Sequence, residues 1–419
     1  MKTLPATPVV IRPRAPAQKL ALAGICLAML TASLDTSITH TALPAIAEAF
    51  SASFRQAQAI VIVYLVTLTA LAPMAGRVGD AAGRRRTLLA GLSVFILASA
   101  LCAAAPTLAM LLAARALQGA GAAVMTALAV ALVGDVAAAA ARGRAMGLVG
   151  TMSAVGTTLG PALGGLLLAT FGWQCVFVVN IPLGLAALML VWRSLPSDAV
   201  RLPAPGAAVA SPALWRERAI AGSLAMTALV AMVMMTTLVV GPFYLARTLG
   251  LGVGPVGLAL SAGPLVAALG GIPAGVLVDR FGTRRATMAG LAGMASACVL
   301  LAVLPAGLAT YLAPVCILTA SYALFQASNG SALIGAAGTA RRGAAAGLLG
   351  MARNLGLIGG ASLMGAVFAA GWAHAGVAAA GADMVASGMR TTFALGAALM
   401  AAALALSRMV PSGPHAAKA

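Results

Sequence analysis

The chain has 419 residues, of which 62% are hydrophobic and only 8% charged, and it carries a formal net charge of +18. A soluble domain of that composition would expose large apolar patches, so an aqueous globular protein is excluded and lipid is the expected solvent. In a soluble chain 26 basic residues against 8 acidic ones would suggest nucleic acid, so their placement along the sequence decides what the charge means.

Apolar stretches of about 18 residues or more, the length that crosses a hydrocarbon core of roughly 30 Å, recur along almost the whole chain. Twelve spans are expected, at 20–43, 58–75, 88–105, 108–133, 146–170, 175–193, 220–245, 254–277, 287–305, 308–331, 345–371 and 390–409. The first is too long, and is followed by too many others, to be a cleaved signal peptide. An even number of spans puts both termini on one side. Lys2, Arg12, Arg14 and Lys19 precede the first span, and Arg408 and Lys418 follow the last. Alternate loops on that side carry Arg77, Arg84, Arg85, Arg86, Arg142, Arg144, Arg193, Arg201, Arg216, Arg218, Arg280, Arg284, Arg285, Arg341 and Arg342. Arg55, Arg247 and Arg390 fall on the other side, and Arg115 and Arg353 inside spans. The positive-inside rule therefore places both termini in the cytoplasm, and the charge sets topology instead of binding nucleic acid. Cys26, Cys102, Cys175, Cys298 and Cys316 lack paired metal-ligand spacing and read as packing residues, so neither metal nor cofactor is expected.

A stretch with Pro196, Pro203, Pro205 and Pro212 divides the spans six plus six. It gives a tail at 1–19, a first bundle at 20–193, a cytoplasmic linker at 194–218, a second bundle at 219–409 and a tail at 410–419. Gly76, Asp80, Gly83, Arg85 and Arg86 recur as Gly275, Asp279, Gly282, Arg284 and Arg285, each set after the second span of its half. Gly147, Gly150, Gly156, Gly160 and Gly165 find partners at a nearly identical offset in the segment from Gly347 to Gly365. The expected fold is thus all-α and integral to the membrane: two six-helix bundles related by a pseudo-two-fold axis along the membrane normal, with substrate bound between them near the midplane.

In span 1, Asp35 is the carboxylate placed well inside a span, and Arg115 in span 4 lies at a similar depth, each about 12 Å below its outer end at 1.5 Å per residue. The two charges can face each other, as a proton-coupling site or as a purely structural pair. His40, five residues outward of Asp35, reads either as a proton relay to it or as an interfacial imidazole facing water. Gly76, Asp80, Gly83, Arg84, Arg85 and Arg86, with Gly275, Asp279, Arg280, Gly282, Arg284 and Arg285, can form ion-pair latches that hold one conformation, or can serve topology alone. In span 5, Gly147, Gly156, Gly160, Pro161, Gly164 and Gly165 form a stripe that admits a neighbouring backbone, and Pro161 frees a carbonyl. The second copy has Ala361 in place of that proline. Gln118, Asn180, Tyr244, Tyr322, Gln326 and Asn329 are polar groups in apolar spans, expected to line a substrate cavity. Met226, Met232, Met234 and Met235 read as an adaptable wall of that cavity or as ordinary packing.

At these residues the chain resembles the major facilitator superfamily over essentially all twelve spans. The resemblance implies that Arg115 in RALQGAGAA serves proton movement, and that the span 5 pattern G-x8-G-x3-G-P-x-L-G-G marks an antiporter, hence export. LDTSITHTALP (Leu34 to Pro44) and GWQCVFVVNIPLG (Gly172 to Gly184) are similar to the drug:proton antiporters usually built with fourteen spans, although the linker at 194–218 cannot hold two more spans of about 20 residues each. His40 stands where that branch usually has Asn, Gln174 where it has Arg, and Ala81 where an Arg commonly follows the loop Asp. The last departure predicts a weaker latch in the first half. The implied function is a monomeric, proton-coupled antiporter of a bacterial inner membrane exporting hydrophobic or amphipathic small molecules, the alternative being a metabolite exporter or uptake carrier of the same fold. With no nucleotide loop, metal cluster or nucleophile constellation in the sequence, an enzyme is not expected.

Overall fold

The structure, a computed structural model, describes residues 15–136, 142–195, 217–370 and 381–409. Among them are 12 helices long and apolar enough to cross a membrane. In chain order they are α1 (Gln18–Ala49), α2 (Phe54–Ala82), α3 (Arg84–Ala103), α4 (Leu108–Val133), α5 (Ala145–Phe171), α6 (Cys175–Ser194), α7 (Arg218–Thr248), α8 (Val253–Phe281), α9 (Thr283–Val303), α10 (Leu308–Ala337), α11 (Ala345–Ala369) and α12 (Ala382–Met409). Every expected span is occupied by one helix. The helices outrun the apolar runs because the backbone stays helical into the headgroup zone: α12 begins at Ala382, ahead of Arg390, where the apolar signal starts. The tails at 1–14 and 410–419 and the linker at 196–216 lie outside the described residues, as do the side chains of Arg142, Arg144, Arg341 and Arg342.

The internal duplication is visible in the turns. Gly83 (φ 99°) between α2 and α3, and Gly282 (φ 81°) between α8 and α9, occupy the left-handed region that side chains with a Cβ avoid, which lets the chain reverse within one residue. Helix α1 packs on α5 and α6, α3 on α4, α7 on α10, and α9 on α10 and α12, so each half forms its own bundle.

The halves meet along α5 with α8, α2 with α11, and α1 with α7. These contacts lie toward the face opposite the termini. There Arg247 on α7 pairs with Glu48 on α1. Phe54 on α2 stacks against Phe243 and Phe368 with ring centroids 4.9 and 5.2 Å away, and its α2 neighbour Gln58 donates a 2.6 Å hydrogen bond from Nε2 to the Ala361 carbonyl of α11. At the basic, terminal face α2, α5, α8 and α11 stand apart: among the described residues, a Cβ added at Gly76 on α2, Gly147 and Gly150 on α5, Gly275 on α8, or Gly347 and Gly350 on α11 would meet nothing within 4 Å. Among the described residues the molecule is therefore closed at one face and holds a cleft open at the basic one.

Candidate functional site

Asp35 sits midway along α1 and is completely buried. Close helix packing puts it there. A Cβ at Gly24 would come 3.0 Å from Val191, so α6 lies directly against α1, and one at Gly119 would come 2.6 Å from the Tyr64 carbonyl, so α4 lies against α2. This brings Arg115 of α4 to Asp35, Nη1 to Oδ2 at 2.8 Å. Gln118 donates from Nε2 to Asp35 Oδ1 at 2.9 Å, accepts from Arg115 Nη1 at 2.7 Å and lies 2.8 Å from the Ser99 hydroxyl. Asn180 of α6 donates to Asp35 Oδ1 at 2.7 Å. The guanidinium also donates to the Ile60 carbonyl at 3.3 Å and lies over the Tyr64 ring, 4.2 Å from its centroid. Every side chain that reaches the carboxylate is a donor, the pattern an ionised carboxylate takes. The two charges the sequence put at one depth do face each other.

His40 corrects one reading. It is not an interfacial side chain in water: it is 1% exposed, and neither ring nitrogen has a hydrogen-bond partner among the described residues. Thr41 Oγ1 and Asn180 Oδ1 are likewise buried without a partner among the described residues. The placement follows from the helix wheel. Gly156 packs on Leu30, Gly160 on Ser37 and Gly164 on Ile38 and Thr41, which fixes the α5 side of α1, while Thr36 Oγ1, 3.5 Å from the Tyr64 hydroxyl, marks the α2 side. Met29, Ser33 and His40 lie between those sides, on the stripe facing the cleft, with His40 at its closed end.

The glycine motif divides into two jobs. Gly156, Gly160 and Gly164 seat α5 on α1, whereas Gly165 approaches Gly257 of α8 in the other bundle, and Gly147 stands free at the basic end. At the matching position of α11, Ala361 lies in a π-helical turn, Gly360–Met364, which frees the carbonyl that Gln58 caps.

The latch departs from expectation. Arg84 pairs with Asp80 at 2.7 Å and with Asp135, two residues beyond α4, at 2.8 Å, and Arg85 donates to the Trp192 carbonyl at 2.7 Å. In the second copy Asp279 makes no ion pair among the described residues and Arg280 lies over the Phe281 ring at 5.5 Å. The first half, expected to hold the weaker latch, is the ion-paired one here, because Asp135 supplies a second carboxylate. Nothing in the local sequence ties Asp135 to the loop; the pairing arises from the packing of α4 beside the α2–α3 turn.

The six cavity candidates do not converge. Gln118 and Asn180 are sequestered around Asp35, Asn329 is held by the Ser223 carbonyl and Thr227 Oγ1 of α7, and Tyr244 is buried with its ring 5.5 Å from that of Tyr311. Only Tyr322 and Gln326 keep exposed surface, on the side of α10 between its α7 and α8 contacts. Tyr64, Ser99 and Phe177 belong to the Asp35 cluster yet escaped the sequence reading, since nothing marks an aromatic or Ser in an apolar span until a charge is seen beside it.

Two like-built bundles around a cleft open at one face, with a buried ion pair in one bundle, define an integral membrane carrier. The family profile of the Major Facilitator Superfamily matches residues 25–361 and 223–419, and the chain belongs to that family. It is a transporter and not an enzyme. The uncharacterized transporter YebQ of Escherichia coli (strain K12) is 28% identical over 403 residues, covering 82% of this chain and 88% of that protein. The riboflavin transporter RibZ of Clostridioides difficile (strain 630) is 28% identical over 172 residues, 41% of this chain and 38% of RibZ. A candidate multidrug resistance protein, MdtD of Pectobacterium carotovorum subsp. carotovorum (strain PC1), is 27% identical over 169 residues, 40% of this chain and 36% of MdtD. The chain thus aligns with well under half the length of RibZ and MdtD. A bacterial homologue of the human lysosomal transporter Spinster, solved inward-facing and occupied, superposes with a TM-score of 0.80 at 18% identity over 95% of this chain and 97% of that one. Twelve membrane-length helices and bacterial relatives make this a multi-pass inner-membrane protein.

Proposed function

We propose that the protein is a proton-coupled antiporter that exports hydrophobic or amphipathic small molecules by alternating access, with its basic face in the cytoplasm. The observation that carries the reading is the Asp35–Arg115–Gln118–Asn180 cluster, an ionisable group that costs free energy in the membrane and sits beside a cleft open at the basic face. The span 5 glycine pattern and the partial likeness to MdtD support export of drug-like molecules. The charge bias of the loops supports the sidedness.

In the conformation open to the cytoplasm Asp35 is ringed by donors, which suits the released proton and a site ready to load substrate. Opening of the other face parts the contacts of α1 with α7, hydrates the closed end of the stripe at His40, and admits a proton to Asp35 as substrate leaves. His40 lies one and a half turns outward of Asp35, and its two nitrogens, which have no partner among the described residues, support a role in passing that proton inward through water. His40→Phe, which fills the space but carries no proton, is expected to slow proton uptake from the outer face while leaving substrate binding in detergent unchanged; equal uptake rates would remove His40 from the path. The reading as a whole is tested in liposomes containing a pH-sensitive dye, with hydrophobic drugs screened for substrate-induced proton flux. Substrate movement without proton movement would make the protein a uniporter or a carrier coupled to another ion.

A further inference from the structure

We infer that the cleft recognises the anionic group of an amphipathic organic anion through Arg353; the inference concerns the substrate of the transport site and rests on that reading only for where the ligand binds. Arg353 lies on α11, eight residues in from Ala345, and is exposed. Among the described residues it has neither a carboxylate partner nor a hydrogen-bond acceptor. Its depth follows from the duplication. The residue matching Arg353 in the first bundle is Ser153 of α5, whose hydroxyl is 2.7 Å from that of Ser33, two residues before Asp35. Arg353 therefore enters at the level of the middle of α1, where a guanidinium facing lipid is expensive and one facing a water-filled cleft is not.

The helix wheel says which it faces. Gly356 and Gly360 seat α11 on Ala228 and Met232 of α7, and Ala361 and Gly365 turn to Gln58 of α2. Arg353 lies between those two sides, which is the cleft side, while Leu355, Ser362 and Leu363, exposed on the opposite side, face lipid.

The charge inventory gives the sign of the ligand. Of the 8 acidic residues, Asp35 has its oxygens taken by Arg115, Gln118 and Asn180. Glu48, Asp80, Asp135, Glu217, Asp279 and Asp383 lie at helix ends, and Asp198 falls outside the described residues. No free carboxylate is left in the described cleft to hold a cation, whereas a free guanidinium awaits a carboxylate, sulfonate or phosphate and can bind it through two parallel hydrogen bonds. Met226 and Met235 of α7 are buried and pack inside the bundle, whereas Met232 of α7, beside Gly359 and Gly360, and Tyr322 of α10 keep exposed surface and supply apolar area for the rest of such a ligand.

The test uses the full chain in nanodiscs and three probes with one aromatic body: pyrenebutyrate, its methyl ester, and a pyrene quaternary ammonium. Wild type is expected to bind the carboxylate more tightly than the other two. Arg353→Gln should weaken the carboxylate about tenfold or more while leaving the ester unchanged. Arg353→Lys should retain part of the preference, and Arg353→Glu should invert it toward the cation. Equal carboxylate affinity in wild type and Arg353→Gln, or a wild-type preference for the cation, overturns the assignment. An anionic lipid headgroup offers the same chemistry, so the binding is repeated in phosphatidylcholine discs with and without phosphatidylglycerol; loss of probe binding on adding phosphatidylglycerol would assign Arg353 to lipid and also overturn it. Because binding is read without a pH gradient, charge selectivity stands or falls separately from proton coupling.

Discussion

Asp35→Asn is expected to abolish transport driven by a pH gradient while leaving exchange of labelled for unlabelled substrate measurable. The amide keeps one oxygen for Gln118 and Asn180, but it offers an NH2 group where Oδ2 accepted from Arg115 at 2.8 Å, so donor meets donor and the guanidinium is left buried with its charge uncompensated. Breaking a buried pair from one side costs about 3–5 kcal/mol. A thermal unfolding scan must therefore accompany the flux assay, and an Asp35→Asn, Arg115→Leu double variant, which removes both charges, should recover part of that loss. If the double variant is stable and exchanges substrate but moves no protons, the carboxylate is the coupling group. Proton flux persisting in either variant would reduce the pair to a structural one and end the antiport scheme built on it.

How much of this was legible beforehand follows from which signals are local. Twelve spans and a duplicated architecture could be read because apolar run length and repeated glycines survive in one dimension. The facing of Asp35 and Arg115 could be read because helical rise fixes depth. Partners that depend on rotation about the helix axis could not. Asn180 and Gln118 looked like ligand-binding polar groups, yet both turn inward to the carboxylate, since the alternative is an unsatisfied donor in an apolar bundle. Asp135 was invisible for a related reason: its partner Arg84 lies in another loop, and only the packing of α4 beside the α2–α3 turn joins them. His40 looked interfacial from its distance to the span end, but α1 runs on to Ala49 and carries it under cover.

The glycines of α5 give a second large effect, and they separate folding from function. Gly257→Ala on α8 is expected to leave a folded protein that does not transport. Its Cβ would land on the Pro161 carbonyl and 2.8 Å from Gly165 Cα, all backbone that cannot yield, so α8 is held off α5 and the face opposite the termini cannot close. That contact lies between bundles and is released when the closed face opens, so the molecule can escape the overlap by changing conformation. Overpacking of about 1–3 kcal/mol then appears as a roughly 5- to 150-fold shift away from the form open at the basic face. Cysteines placed at Gly147 and Gly275, which have free space in the structure, report it in a background without native cysteines: cross-linking should be slow in the parent and fast with Gly257→Ala. Gly156→Ala makes the contrast, for its Cβ would sit 2.5 Å from the Leu30 carbonyl inside the first bundle. No conformational change relieves that overlap, so the cost falls on the folded state, seen as a lower unfolding temperature with the cross-linking rate unchanged. Equal cross-linking in Gly257→Ala and its parent would mean that α5 and α8 do not form the gate.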